Sequence, residues 1–256
     1  MKTNSNYPNE SSGVTSISRK LRGVIAPLAV ACISPLLTIS EVNAKANNTK
    51  AFVYTEVQTS VPFNKVPWEL RNPVISSQPG FQYKTWLSGL GNHSVGGIYA
   101  FDTIENAQKY VNDFFPNQAK KQGVAHTTRI FDAVIVEDAS RDMGSVDFGG
   151  DISKAPNAFV YTEIQVHQPF ENVAWQQRNP ILKKQPGLLS KTWLSGYKTN
   201  TIGGIYAFDT IENAKSFALE SFPKAAKELK AAFYTRVFDG KIVKDASRGM
   251  RSPYFE

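Results

Sequence analysis

The chain has 256 residues, of which 41% are hydrophobic and 20% are charged, and its formal net charge is +7. These values are typical of globular proteins and exclude a wholly disordered or fibrous chain. The length allows one large domain or two of ordinary size. The basic residues are scattered among acidic ones, so we predict no nucleic-acid partner.

Residues 1–44 have the three parts of a secretory signal peptide. A basic segment precedes an apolar stretch over 24–39, and small residues follow that stretch. This order predicts cleavage after Ala44 or Ala46 and a secreted or periplasmic protein. The apolar stretch is short and contains two prolines, so we expect no stable membrane anchor. Residues 1–44 contain four basic and two acidic residues, so their removal leaves a net charge of +5.

The only cysteine, Cys32, lies in this apolar stretch. The mature protein would therefore have no thiol, no disulfide and no cysteine ligand for a metal. A lipoprotein anchored through Cys32 is the less favoured alternative, because the apolar run continues beyond the cysteine, where a processed lipoprotein turns polar.

The rest of the chain is a tandem repeat. The sequence Ala-Phe-Val-Tyr-Thr-Glu at 51–56 recurs at 158–163, and the same offset aligns 51–143 with 158–250 without a gap. About half of the paired positions are identical, and a period of this length is a whole domain. The intervening segment 144–157 contains glycines, serine and proline, and we predict that it is a linker.

Within one copy, the residue pattern predicts six elements. In chain order they are a strand at 52–57, a short helix over 66–77, strands at 81–88 and 95–101, a helix from Asp102 toward Phe115, and a strand at 127–131. Asp102 followed by Glu105 is typical of a capped helix start. The order β-α-β-β-α-β is the ferredoxin-like plan.

A ferredoxin-like sheet has helices on one face and leaves the other face bare. Two copies in one chain can cover each other, so we predict tandem α+β domains that form an intrachain dimeric α+β barrel. We expect a cavity between the two sheets, and further homo-oligomerisation stays open.

Four segments of the first copy, 78–81, 84–86, 96–101 and 129–132, resemble the YdhR-like family of mono-oxygenases, and the second copy carries the same pattern. The resemblance implies a dimeric α+β barrel related to cofactor-independent mono-oxygenases that oxidise aromatic polyketides. The tandem duplication and the export signal depart from the usual form of that family.

Metal catalysis and nucleophilic hydrolysis find little support in the sequence. The three histidines, His93, His126 and His167, have no histidine at the paired position of the other copy. A metal site would need a set of such ligands. No Ser, His and Asp set recurs either. We predict that the protein uses no metal and no other cofactor.

Polar and aromatic strand residues that recur in both copies are the candidate site residues. The predicted catalytic residues are Trp86, Tyr99 and Arg129, with Trp193, Tyr206 and Arg236 in the second copy. The predicted substrate-binding residues are Tyr54, Glu56 and Lys84, with Tyr161, Glu163 and Lys191. The aromatic rings would hold a flat aromatic compound, and the cations would stabilise its anion. Core packing of the Trp rings and purely structural Arg-Glu ion pairs are the alternative roles.

Two functions stay open. One is a cofactor-independent mono-oxygenase that acts on a small phenol or quinol-like compound in the cavity between the sheets. The other is a non-catalytic exported module that binds a ligand or a protein on the same barrel.

Overall fold

The computed structural model describes residues 48–59 and 61–255. The predicted signal peptide, both cleavage sites and Cys32 lie outside the described residues. Within the described part of the chain, no helix is long and apolar enough to cross a membrane.

Each copy folds into a four-stranded antiparallel sheet. The strands of the first copy are β1 (Ala51–Gln58), β2 (Phe81–Ser88), β3 (Ser94–Phe101) and β4 (His126–Asp132). Those of the second copy are β5 (Ala158–Gln165), β6 (Leu188–Gly196), β7 (Thr201–Phe208) and β8 (Phe233–Asp239). Most of them are rich in β-branched and aromatic residues, which suit a pleated, buried surface.

The helices pack on one face of each sheet. The first copy contains α1 (Trp68–Ser76), α2 (Ile104–Lys109), α3 (Phe115–Gln122) and α4 (Glu137–Asp142). The second copy contains α5 (Trp175–Leu182), α6 (Ile211–Ser216), α7 (Phe222–Glu228) and α8 (Lys244–Arg248). The predicted β-α-β-β-α-β order is confirmed, and α4 and α8 are additions to it.

Two details of the predicted second helix differ in the structure. The capping side chain is that of Thr103, which accepts the backbone N–H of Asn106, whereas Asp102 accepts the Asn106 side-chain amide. The helical segment does not stop near Phe115 but continues through Pro116 to Gln122. A π-helical turn, Tyr110–Phe114, joins α2 to α3. The wider turn lies directly before Pro116, which has no N–H to donate to the helix.

The two sheets join edge to edge in a closed ring of eight strands. The order is β2-β3-β1-β4-β6-β7-β5-β8, and β4 pairs with β6 through Phe131 and Gly196. The second joint is the equivalent bridge between Gly89 and Phe238, which brings the end of β2 to β8. The predicted intrachain α+β barrel is confirmed, and short pairings at the two joints close the ring of strands.

Aromatic side chains of both copies meet in the space between the sheets. The rings of Tyr54 and Tyr161 stack in parallel at its centre, with 4.0 Å between their centroids. Phe238 contacts the first ring and Phe131 contacts the second. The expectation of a cavity between the two sheets was therefore wrong at this position, because large aromatic side chains from both copies meet across the ring of strands.

The segment after the last strand of each copy packs against the other copy, and we call it the arm. It contains α4 in the first copy, which contacts β6, and α8 in the second copy, which contacts β2. The backbone N–H of Trp86 donates to Ser247 Oγ at 3.0 Å, and the backbone N–H of Trp193 donates to Ser140 Oγ at 3.0 Å. The arms thus satisfy the backbone of β2 and β6 at the outer edge of each sheet. In the first copy the arm continues into a buried 3₁₀ turn, Val146–Phe148. The first part of the segment predicted as a linker therefore belongs to the core.

A buried carboxylate fixes this arm. Asp147 accepts hydrogen bonds from the hydroxyls of Tyr83 at 2.8 Å and Tyr254 at 3.1 Å, and also from Thr192. Burial raises the pKa of Asp147, and the three hydroxyl donors oppose that effect. The carboxylate links the arm to strands of both copies and to the C-terminal segment.

The stacked tyrosines provide a test of the filled barrel. Tyr54→Ala is expected to lower the free energy of unfolding by about 3–5 kcal/mol, the usual cost of removing a core aromatic ring. Tyr54→Phe keeps the stack and loses only the hydroxyl that donates to Glu56 at 2.7 Å, so its cost should be about 1–2 kcal/mol. Urea denaturation of the two variants measures both values. A loss below about 1 kcal/mol for the alanine variant would contradict the packing described above.

Candidate functional site

Strand alternation divides the predicted site residues between two faces. Tyr99 pairs directly with Lys84, and Trp86 lies two residues further along β2, so all three side chains lie on the helix-facing side. Tyr54 pairs with Arg129 on the other side, which faces the second copy. The structure therefore brings together one half of the predicted set and separates it from the other half.

A cavity lies on the helix-facing side of the first copy. Its volume is about 400 Å³, which falls in the range of roughly 300–1,000 Å³ that is usual for ligand pockets. The sheet contributes Thr55, Lys84, Trp86 and Tyr99 to one wall. The helices α1 and α3 and the π-helical turn between α2 and α3 form the opposite wall.

Lys84 is the central polar group of this cavity. The residue is fully buried, and its Nζ lies over the Trp86 ring, 2.7 Å from the centroid, and 4.6 Å from the centroid of Tyr99. Gly97 makes this course of the side chain possible. A Cβ atom there would lie 2.7 Å from the Thr85 carbonyl oxygen and would also meet the Lys84 side chain. A glycine at position 97, inside β3, is thus a space requirement of the lysine.

The Trp86 ring is held by a residue that sequence reasoning did not select. Its Nε1 donates to Asn72 Oδ1 at 3.0 Å, and Asn72 Nδ2 donates to the Ala246 carbonyl at 3.1 Å. Ala246 belongs to α8, so the arm of the second copy helps to orient a cavity residue of the first. The recurrence of Arg-Asn-Pro in both copies was the available sign of this role.

Tyr99 is anchored on two sides. The Thr55 hydroxyl donates to Tyr99 OH at 3.2 Å, and the Tyr110 ring lies 5.0 Å from the Tyr99 ring. Burial raises the pKa of Tyr99 and, more strongly, that of Tyr110. Both tyrosines are therefore neutral at physiological pH and can donate or accept one hydrogen bond each.

The electrostatics of the cavity are one-sided. Arg71 and Lys84 line it, and none of the described lining residues is acidic. Burial lowers the pKa of Lys84 well below its ordinary value, and the positive charge of Arg71 lowers it further. A buried lysine without an acidic partner favours the neutral amine, which accepts a proton.

The second copy repeats the arrangement with changes. Lys191 Nζ lies 2.6 Å from the Trp193 ring centroid, and Trp193 Nε1 donates to Asn179 at 2.9 Å. Tyr206 keeps the place of Tyr99. Phe217, Ala225 and Leu229 stand where the first copy has Tyr110, Gln118 and Gln122, so these polar groups of the first cavity are missing from the equivalent place.

The remaining predicted residues form ion pairs between the copies. Arg236 Nη2 lies 2.6 Å from Glu56 Oε1, and Arg129 Nε lies 3.2 Å from Glu163 Oε1. Tyr161 OH donates to Glu163 at 2.8 Å, as Tyr54 does to Glu56. Each carboxylate is thus shared between a tyrosine of its own copy and an arginine of the other, which agrees with the structural alternative for these residues.

A smaller cavity of about 220 Å³ lies beside the β4 and β6 joint, and Arg129 and Glu163 are among its lining residues. These two side chains pair with each other there. Within residues 48–59 and 61–255, no group of three or more His, Cys, Asp and Glu side chains is placed to hold a metal ion.

The family comparison agrees with this geometry. Residues 69–141 match the family described as "Putative mono-oxygenase ydhR". The match covers most of the first copy and includes Lys84, Trp86, Tyr99 and Arg129. The first copy is thus similar to this family over that range, and the resemblance seen in the sequence is confirmed. No curated protein matches the chain.

Several solved structures are similar to this chain at low sequence identity. One described as an anthrone oxidase-like protein is 15% identical, with a TM-score of 0.51, over 75% of this chain and 91% of its own. A putative monooxygenase from Lactobacillus acidophilus NCFM is 9% identical, with a TM-score of 0.43, over 74% and 93%. A ferredoxin fold protein of Listeria monocytogenes 4b F2365, related to antibiotic biosynthesis monooxygenases, is 11% identical, with a TM-score of 0.40, over 74% and 95%.

The buried lysine makes a prediction for stability. At pH values between the lowered pKa of Lys84 in the folded chain and its ordinary pKa of 10.5, the unfolded chain binds a proton that the folded chain does not. The stability therefore rises with pH across this range, and Lys84 destabilises the fold most at low pH. Lys84→Met removes this cost. The variant should be more stable than the parent near pH 6, and its advantage should shrink as the pH rises, by up to about 1.4 kcal/mol per pH unit.

Urea denaturation of both proteins from pH 6 to 10 measures this difference. Lys191→Met is the matched variant and should behave in the same way, because burial also lowers the pKa of Lys191 well below its ordinary value. A difference in stability that does not change with pH would contradict a neutral buried amine.

Proposed function

We propose that the protein is a cofactor-independent mono-oxygenase that oxidises a small phenolic or anthrone-like compound in the cavity of the first copy. The observation that carries the proposal is the position of the Lys84 amine, which is buried against the rings of Trp86 and Tyr99 in a cavity of about 400 Å³ and has no acidic lining residue beside it. The likeness to an anthrone oxidase-like protein in fold and the family match support the same class of reaction.

Lys84 is the base in this proposal. Its uncharged Nζ accepts the acidic proton of the bound compound, from a phenol hydroxyl or from the methylene group of the keto tautomer. The ammonium that results lies beside the substrate anion and over two aromatic rings, where it stabilises the new negative charge. One group thus removes the proton and then holds the product of that step in place.

Oxygen then supplies the oxidant. The substrate anion passes one electron to O₂, and the two radicals combine to form a carbon–oxygen bond. The O–O bond of the peroxide breaks as the carbon loses its remaining hydrogen, and the carbon becomes a carbonyl. One oxygen atom enters the product and the other leaves as water, so a methylene group and O₂ give a carbonyl and water. The Lys84 ammonium returns its proton to the leaving oxygen.

The rest of the cavity orients the compound and excludes water. Asn72 fixes the Trp86 ring from one side, and Tyr99 is fixed through Thr55. A flat substrate between these rings keeps the carbon that reacts away from solvent, where an anion would be protonated again. Tyr99 and Tyr110 are neutral and their hydroxyls bond to each other, and Tyr99, which accepts from Tyr110 and Thr55, can donate its own proton to a carbonyl oxygen.

The activity of this site can be measured directly. With 1,8-dihydroxyanthrone as substrate, the protein should consume O₂ in chelator-treated buffer without added flavin or nicotinamide. Lys84→Met should lower kcat/KM by about 100-fold or more, the usual contribution of a general base. Lys191→Met should keep at least half of the activity. The parent rate should rise with pH as the amine of Lys84 loses its proton, and this rise should be absent from the Lys84 variant.

Three results would count against the proposal. Oxygen uptake that chelators abolish would remove cofactor independence, and equal losses from the two Lys→Met variants would remove the assignment to the first copy. No uptake with a panel of phenols and anthrones, together with tight binding of the same compounds, would favour the non-catalytic ligand-binding module.

A further inference from the structure

Arg71 is the cation of the first cavity that the proposed reaction does not use. It lies on α1, and its Nη2 donates to Gln122 Oε1 at the end of α3, at 3.1 Å. The arginine therefore joins the two helices that cover the cavity. Both Arg71 and Gln122 line it.

The inner edge of this guanidinium lacks a partner. The Nε atom of Arg71 is buried and has no hydrogen-bond partner in the protein. A buried N–H without an acceptor is costly, and the cost is greater when the group is charged. Since no described lining residue is acidic, no protein carboxylate of the cavity can pair with it.

We propose that the ligand of the first cavity carries a carboxylate or an equivalent anionic group that binds Arg71, in addition to its aromatic ring. This inference rests on the proposed function and specifies the substrate class of the same site. An anion placed on Nε and an adjoining guanidinium N–H would form the two parallel hydrogen bonds for which arginine is suited. The aromatic ring would then extend toward Lys84 and Trp86.

The mouth of the cavity agrees with an amphiphilic ligand. Leu70 and Val74, on either side of Arg71 in α1, are 76% and 48% exposed, and Val61 nearby in the lining is 41% exposed. An apolar rim around a single cation is suited to a ligand that presents both an apolar body and one acidic group. The anion selects the orientation of the ring, because only one end of the ligand can reach Arg71.

The second copy offers a matched control. Arg178 occupies the place of Arg71, but Leu229 stands where Gln122 accepts the guanidinium. The substitution Arg178→Gln removes the same charge from the same element of the fold. Arg71→Gln should therefore differ from it only through the first cavity.

Binding is measured without turnover, under anaerobic conditions, by calorimetry with 1-hydroxy-2-naphthoate and its neutral carboxamide as probes. The full chain should bind the carboxylate at least tenfold more tightly than the carboxamide. Arg71→Gln should reduce this ratio to about two or less and leave the affinity for the carboxamide within about threefold. Arg178→Gln should leave the ratio unchanged.

Equal affinity of the parent protein for both probes would overturn the inference, as would a preference for the carboxylate that survives Arg71→Gln or that Arg178→Gln reduces equally. The experiment separates this inference from the oxygenase proposal. Selective binding of the carboxylate without oxygen uptake would refute the oxygenase alone, and oxygen uptake without charge selection would refute this inference alone.

Discussion

The structure depends on one constraint: each four-stranded sheet has a face that its own helices do not cover. In the described part of the chain, this face of each copy packs against the same face of the other copy. Burial of these two faces places Tyr54 against Tyr161 at 4.0 Å and forces the sheet edges to meet at Phe131 and Phe238. The hydrophobic effect scales with the apolar area removed from water, so this contact contributes a large share of the stability of both copies.

The same constraint decides where a ligand can bind. The interior of the strand ring is filled by aromatic side chains and by the tyrosine-carboxylate-arginine groups of Glu56 and Glu163, so it has little room for a substrate. The layer between sheet and helices is freer, since only helix side chains fill it. The cavity of the first copy also depends on the second copy, because Ala246 in the arm of the second copy holds Asn72, which orients the Trp86 ring. Loss of the second copy would therefore disturb the site of the first.

The sequence could predict the fold to a large extent and the site only in part. The ungapped repeat and the strand patterns predicted the elements correctly, and strand alternation placed Lys84 with Trp86 on one face. It could not say which face meets the helices. Both faces of this sheet are buried, one by helices and one by the other sheet, so both carry apolar and aromatic residues and the usual contrast between core and solvent is absent. Because the two faces could not be told apart, Arg129 and Glu56 were predicted as site residues, although they lie on the face that meets the other copy.

The arms were not predicted because their partners lie in the other copy. The backbone groups of β2 bond to α8 and Met250, more than 150 positions along the chain, and no local pattern reports such a contact. The repeat itself held a sign of them, since Ser145 and Phe148 recur at the same offset as Ser252 and Phe255, within the segment predicted as a linker and at the C-terminal end. Arg71 and Asn72 were visible as a repeated motif, but their roles depend on the tertiary contacts of α1.

A crystal structure of the protein with bound 1-hydroxy-2-naphthoate tests this account most directly. We expect one ligand between the sheet of the first copy and helices α1 and α3, with its ring beside Lys84 and Trp86 and with the Tyr54 and Tyr161 rings still stacked. A ligand inserted between those two tyrosines, or bound beside Arg129 and Glu163 at the joint of the sheets, would contradict the assignment of the site.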